Sequence, residues 1–167
     1  MRVIIIAGGV GSRLSEETVL KPKPMVEIGG RPILWHIMMY FSHFRFNHFC
    51  IALGYKGEYI KKYMADYCLM MGDMRVNVKE GSVKFHNTQG EDWIVDLIDT
   101  GQKTLTGGRL KRLGSHIGNE TFIAAWGDGL YNINLVDLVE FHRRHGKLAT
   151  VAGVRPAARF GHLQIEG

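Results

Sequence analysis

The first eleven residues most limit what this chain can become. The β-branched run Val3-Ile4-Ile5-Ile6 stops at Ala7 and gives way to Gly8-Gly9-Val10-Gly11. Consecutive apolar residues, rather than alternating ones, mark a strand covered on both faces, which is the habit of parallel sheets. The glycines then end the strand in a turn that other side chains could not follow.

The rest of the chain repeats this alternation of buried strand and helix. Ile33, Ile37, Tyr40, Phe41 and Phe44 recur at helical spacing after Pro32. Residues 49–53 form a second apolar strand closed by Gly54, and residues 58–70 carry a helical stripe of Tyr59, Ile60, Tyr63, Met64, Tyr67 and Cys68. Alternating stretches at 74–79 and 83–86 predict strands exposed on one face, and 93–98 predicts another strand. A turn at Thr106-Gly107-Gly108 opens a helix over 109–117, followed by a strand at 121–126 ending in Gly127-Asp128-Gly129. A helix over 135–145 and strands at 148–154 and 162–165 complete the reading. Strands separated by helices imply βαβ units. The expected fold is therefore α/β and doubly wound, with a mainly parallel sheet and helices on both faces, in one domain spanning residues 1–167.

Composition removes several other classes. Hydrophobic residues make up 46% and charged residues 22% of the chain, which fits a folded domain and not a disordered or membrane-embedded one. No apolar run is long enough for a membrane span, and no cleavable leader follows the first strand. The cytoplasm is the expected compartment, with Cys50 and Cys68 as free, buried thiols. The net charge of +5 is spread through the chain without an aromatic-interleaved basic stripe. It suits small anionic substrates better than nucleic acid.

The chemistry concentrates in two places. Gly8, Gly9, Gly11 and Ser12 leave a bare backbone whose N–H groups can converge on an anion, with Arg13 as a planar multi-donor cation beside it. Taken alone, such a turn serves a tight bend with a surface arginine equally well. The dinucleotide fingerprint fails because Leu14 stands where its third glycine belongs, and no G-x-x-x-x-G-K-[ST] loop occurs. The second place is Lys21-Pro22-Lys23-Pro24-Met25. Its two prolines deny Lys23 a helix and hold it out from a stiff extended segment. A fixed ammonium of this kind stabilises charge on the oxygens of an attacked phosphorus. Elsewhere the signals are plain: no histidine pair has metal-ligand spacing, His142 and His145 flank arginines on a cationic helix face, and Met38, Met39, Met70 and Met71 read as core or interface filler.

Ala7-Gly8-Gly9-Val10-Gly11-Ser12-Arg13-Leu14 followed by Lys21-Pro22-Lys23-Pro24-Met25 resembles the signature of the sugar nucleotidylyltransferases, GGxGTRLxPxTxxxPK. Within that family, Leu14-Ser15-Glu16-Glu17-Thr18 before Lys21 is similar to the bacterial glucose-1-phosphate cytidylyltransferase branch. Ser12 stands in place of the usual threonine and keeps the hydroxyl. The likeness continues through Gly54-Tyr55-Lys56-Gly57, Asp99-Thr100-Gly101, Thr106-Gly107-Gly108-Arg109 and Gly127-Asp128-Gly129 to Arg159-Phe160-Gly161.

The resemblance implies CTP and a sugar 1-phosphate as partners, Mg²⁺ as cofactor, and a role in dideoxysugar precursors of surface polysaccharide. Carried over by position, it places Ala7, Gly8, Gly9, Val10, Gly11 and Ser12 on the nucleotide and Arg13 and Lys23 on its phosphates. Thr104, Arg109 and Gly127 fall on the nucleotide side, and Asp128 on Mg²⁺. Arg13 and Lys23 are the expected catalytic pair. The branch's homo-oligomers carry over as an expectation. So does a truncated C-terminus, because the family continues past residue 167 with further sugar- and metal-binding residues.

Overall fold

Val3, Ile4 and Ile5 are completely buried, as a strand covered on both faces requires. The computed structural model describes residues 1–9, 21–87 and 89–154. In chain order the elements are β1 (Arg2–Ile6), β2 (Glu27–Ile28), β3 (Arg31–Pro32), α1 (Ile33–His43), β4 (His48–Leu53), α2 (Gly57–Met70) and β5 (Asp73–Asn77). They continue with β6 (Ser82–His86), β7 (Ile94–Asp99), α3 (Thr106–Arg112), α4 (Gly114–Ile117), β8 (Phe122–Trp126) and α5 (Leu135–His145). The chain divides into two units, Met1–Asn132 and Ile133–Gly167.

The first unit holds a parallel sheet in the order β7-β4-β1-β8. Alternation of side chains assigns its two faces. Ile4, Cys50 and Ala52 form one face and pack against Leu113 and Ile117, with Ile6, Ile98 and Leu110 at the margin. The small Cys50 and Ala52 let the short α3–α4 pair settle close to the strands. Val3 and Ile5, in register with Phe49 and Ile51, form the other face. There Phe49 meets Trp93 edge-on, Trp93 stacks on Tyr67 of α2, and the Trp93 indole donates to Ser42 of α1. Helices therefore cover both faces, as the strand–helix alternation predicts.

The strand order places the functional region. The chain runs outward from β1 to β4 and β7, then returns to the opposite side of β1 for β8. The carboxyl ends of β1 and β8 therefore diverge at the point where the winding reverses, the position at which open α/β sheets bind ligands.

Two hairpins decorate this sheet. β2 and β3 are joined by Gly29 (φ 60°) and Gly30 (φ 76°), a tight two-residue turn that needs positive φ at both positions. β5 and β6 pair antiparallel, with Met74 opposite Phe85 and Val76 opposite Val83. In the second unit, α5 begins at Asn134, whose side chain accepts from the N–H groups of Val136 and Asp137, and ends at left-handed Gly146.

The structure revises several expectations. α1 buries Leu34, Ile37, Met38 and Phe41, so its inward stripe is turned from the one led by Ile33 and Tyr40. Cys68 is exposed and only Cys50 is buried, because the inward stripe of α2 is the narrower set Ile60, Met64 and Tyr67. Met70 is also exposed rather than filling a core. The helix expected at 109–117 begins earlier, at Thr106, and is broken into α3 and α4. Residues 148–154 form no strand. Leu148, Val151 and Val154 stand exposed, and a strand cannot exist without a ladder to complete its hydrogen bonds. The strand expected at 162–165 lies outside the described residues. Among the described residues no helix is long and apolar enough to cross a membrane.

Candidate functional site

A pocket of about 440 Å³ opens at the carboxyl ends of β1 and β8, within the size range of small-molecule sites. Ala7 and Gly9 line it from β1, Gly127 and Asp128 from β8, Lys23 and Pro24 from the intervening connection, and Thr104, Thr106 and Arg109 from the start of α3. Sequence reasoning named most of these residues, and the fold brings them together from four separate segments. Val10, Gly11, Ser12 and Arg13 lie outside the described residues.

Lys23 reaches the pocket by a different route from the extended one expected. Pro22 is extended (φ −68°, ψ 150°), but Lys23–Met25 then closes a single 3₁₀ turn in which Met25 N–H donates to Pro22 O. Pro24 tolerates this because the first turn of a helix leaves its N–H groups unpaired anyway. Pro24 and Met25 are buried, so the turn is anchored and the Lys23 ammonium points at the Asp128 carboxylate, with which it forms an ion pair.

Asp128 is held by its neighbours. The Gly127 N–H donates to Ile6 O at 2.9 Å, tying the loop after β8 to the end of β1. A Cβ at Gly127 would meet Ile6 O and Pro24 Cγ, each at 3.0 Å. Beyond Asp128 the chain is closed by Tyr131, whose hydroxyl accepts from Trp126 N–H at 2.9 Å and donates to Trp126 O at 3.4 Å. Burial raises the Tyr131 phenol above its ordinary pKa, against the Trp126 backbone bond, with the Asp128 charge adding to the rise.

Arg109 is the most constrained group of the site. It is 3% exposed, yet among the described residues none of its hydrogen-bond acceptors is a carboxylate. Nη1 donates to Leu53 O at 2.9 Å and to Thr100 Oγ1 at 2.7 Å, while Nη2 donates to Gly8 O at 2.8 Å and Gln102 O at 3.3 Å. Burial lowers its pKa, opposed by Asp99 and helped by Arg112. The guanidinium thus straps together the segments that follow β1, β4 and β7. A Cβ at Gly8 would lie 2.2 Å from Arg109 Nη1, and one at Gly54 would lie 2.5 Å from the same atom. These glycines are required for the passage of this side chain, a reason no local pattern announces.

The donor set also bears on a metal. Among the described residues no group of three His, Cys, Asp or Glu could cage an ion. Asp128 is the one carboxylate lining the pocket among them. A single hard carboxylate fits Mg²⁺ that takes its remaining ligands from phosphate oxygens and water, and does not fit a closed structural site.

A doubly wound sheet with a cationic and an acidic side chain facing each other at its switch point is the framework of a nucleotide-handling domain. Residues 2–167 match the family of nucleotidyl transferases, and the chain belongs to that family. It is 47% identical to a glucose-1-phosphate cytidylyltransferase of Salmonella typhi, over 99% of this chain and 65% of that protein. The chain thus spans slightly less than two thirds of that relative's length. Among solved structures it resembles HddC from Yersinia pseudotuberculosis complexed with GMP-PN, with a TM-score of 0.62 and 26% identity over 84% of this chain and 53% of that one. A UDP-glucose pyrophosphorylase complexed with UDP-glucose, 17% identical over 87% of this chain and 54% of that one, shares the fold at a TM-score of 0.61.

Proposed function

We propose that this chain is the nucleotide-binding part of a glucose-1-phosphate cytidylyltransferase, which joins CTP and glucose 1-phosphate into CDP-glucose and releases pyrophosphate. The observation that carries this reading is the Lys23–Asp128 pair beside the Gly8-Gly9 turn, in a chain that matches a cytidylyltransferase along nearly all of its length.

The reaction is an in-line displacement. A phosphate oxygen of the sugar attacks the α-phosphorus of CTP, the new O–P bond forms, and the bond to the pyrophosphate oxygen breaks. Little acid–base work is required of side chains, so positioning and charge neutralisation supply the rate. The Ala7, Gly8 and Gly9 backbone, continuing into Val10, Gly11 and Ser12, holds the nucleotide. Lys23 and Arg13 neutralise charge on the phosphates, and Thr104, Arg109 and Gly127 line the nucleotide side. Asp128 would hold Mg²⁺, which would supply further positive charge to the phosphate oxygens. Lys23 and Asp128 form an ion pair. Lys23 would pair with anionic phosphates as it does with the Asp128 carboxylate.

Because the chain spans 65% of its Salmonella typhi relative, a second reading stands beside the first: a nucleotide-binding module without turnover. Pyrophosphate release from this chain with glucose 1-phosphate, Mg²⁺ and each of CTP, UTP, dTTP and ATP separates them. Release with CTP alone supports the cytidylyltransferase. CTP binding without release supports the module. Preferential release with UTP or dTTP assigns another branch of the family.

A further inference from the structure

The Asp99-Thr100-Gly101 turn follows β7, and nothing in the proposed reaction uses it. Thr100 is 0% exposed and can touch no ligand, yet its atoms meet both arginines of α3. Its hydroxyl donates to Leu53 O at 2.6 Å and accepts from Arg109 Nη1 at 2.7 Å. Its carbonyl accepts from Arg112 Nη1 at 2.6 Å, and the same nitrogen donates to Thr104 Oγ1 at 2.8 Å. The turn itself is set by Gly101, whose N–H donates to Asp99 Oδ1 at 2.8 Å and whose φ of 87° glycine adopts at little cost and other residues do not.

From these contacts we infer that Thr100 is the positioning residue of the pocket, acting through Arg109 and through Arg112 on Thr104. The inference rests on the reading of the pocket as a nucleotide site. A hydroxyl has one proton, and here Leu53 O receives it, so the lone pair turned toward Arg109 has a fixed direction. Leu53 O also accepts from Thr100 N–H and Arg109 Nη1, so three donors converge on the end of β4. The plane of the guanidinium follows from those directions, and with it the place of Gly8 O, the Nη2 acceptor just beyond β1. Arg109 and Arg112 stand one helical turn apart, so both grip one residue from the same face of α3. Thr104 and Arg109 line the pocket; Thr100 stands behind both.

Thr100→Val keeps the shape and removes the hydroxyl, while Thr100→Ser keeps the hydroxyl. With each variant confirmed as folded, calorimetric titration with CTP and Mg²⁺ is expected to show about tenfold weaker binding for Thr100→Val, the size of one lost hydrogen bond to a charged group. Thr100→Ser is expected to bind like the wild type. A purely structural threonine lowers the melting temperature in Thr100→Val and leaves CTP affinity unchanged, which overturns the inference.

Nitrogen-15 spectra of the guanidinium groups give a readout that needs no nucleotide. Arg109 shows separate, slowly rotating Nη protons in the wild type and in Thr100→Ser, and faster rotation at Nη1 in Thr100→Val. Averaged signals already in the wild type overturn the inference. If the wild type binds no CTP, the nucleotide reading fails and these spectra still decide the positioning. Should Thr100→Val not fold, Arg112→Lys loosens the grip on Thr100 and Thr104 from an exposed position. It is then expected to weaken CTP by about threefold or more, and unchanged affinity refutes the role.

Discussion

Replacing Gly54 with alanine tests the Arg109 strap without substituting a residue that lines the pocket. The added methyl would sit 2.5 Å from Arg109 Nη1, 2.8 Å from Nη2 and 2.9 Å from Gly8 O. Ordinary contact begins near ~3.5 Å, so the guanidinium must retreat by about 1 Å. Its bonds of 2.9 Å to Leu53 O and 2.7 Å to Thr100 Oγ1 then stretch beyond useful length. Hydrogen bonds to a charged group contribute about 1.5–3 kcal/mol each, so losing one to two of them costs about 2–5 kcal/mol. Gly54 has no positive φ, so alanine brings no backbone strain and returns about 0.4–1 kcal/mol through the unfolded chain. The net expectation is a loss of about 2–4 kcal/mol, a large part of a typical stability. Urea unfolding followed by tryptophan fluorescence measures it. Gly107→Ala, where a Cβ meets nothing within 4 Å, is the control and is expected to be neutral or slightly stabilising. In an Arg109→Ala background the Gly54→Ala penalty should shrink to the part set by the Gly8 O contact at 2.9 Å. An unchanged urea midpoint for Gly54→Ala alone would refute the reasoning.

Three other outcomes are expected. Lys23→Ala should lower turnover about a hundredfold or more while changing stability by less than about 1 kcal/mol, because its ion pair with Asp128 is partly exposed; normal turnover in this variant contradicts the role assigned to Lys23. A thiol reagent should label Cys68 and spare Cys50 in the native chain, since burial first, and Asp96 second, push the Cys50 thiol up to about 11; two thiols labelled at equal rates contradict this. Tyr67 is pushed from 10.0 up to about 12 by burial first and by its hydrogen bond to Glu91. The fold thus favours the neutral phenol, and that stabilisation is complete below pH 10.0 and lost as pH rises through about 12. Tyr67→Phe should unfold less readily in alkali than the wild type, and an identical alkaline transition contradicts the assignment.

The sheet was legible because its strands are written as unbroken apolar runs whose burial leaves few alternatives, as in Val3, Ile4 and Ile5. That Lys23, Gly9 and Asp128 would meet at one pocket could be anticipated because prolines and glycines restrict the backbone locally. The reason Gly8 must be glycine was not legible, since the group that crowds it, Arg109, lies 101 residues away. Thr100, Gly54 and Tyr131 were missed as site residues on the same ground: each acts through a partner that only the fold supplies. Residues 148–154 misled because an apolar run describes a strand only where a neighbouring strand completes its hydrogen bonds. The 3₁₀ turn at Lys23 shows the complementary error, since two prolines exclude a long helix without excluding its first turn.

The central claim is that the pocket at the carboxyl ends of β1 and β8 binds CTP through its phosphates. Calorimetric titration of the wild-type chain and of Asp128→Asn with CTP, in the presence and absence of Mg²⁺, tests it most directly. One CTP should bind per wild-type chain, more tightly with Mg²⁺ than without, and the Mg²⁺ dependence should disappear in Asp128→Asn. No heat with CTP from a folded sample, or a Mg²⁺ dependence that survives Asp128→Asn, would contradict the account.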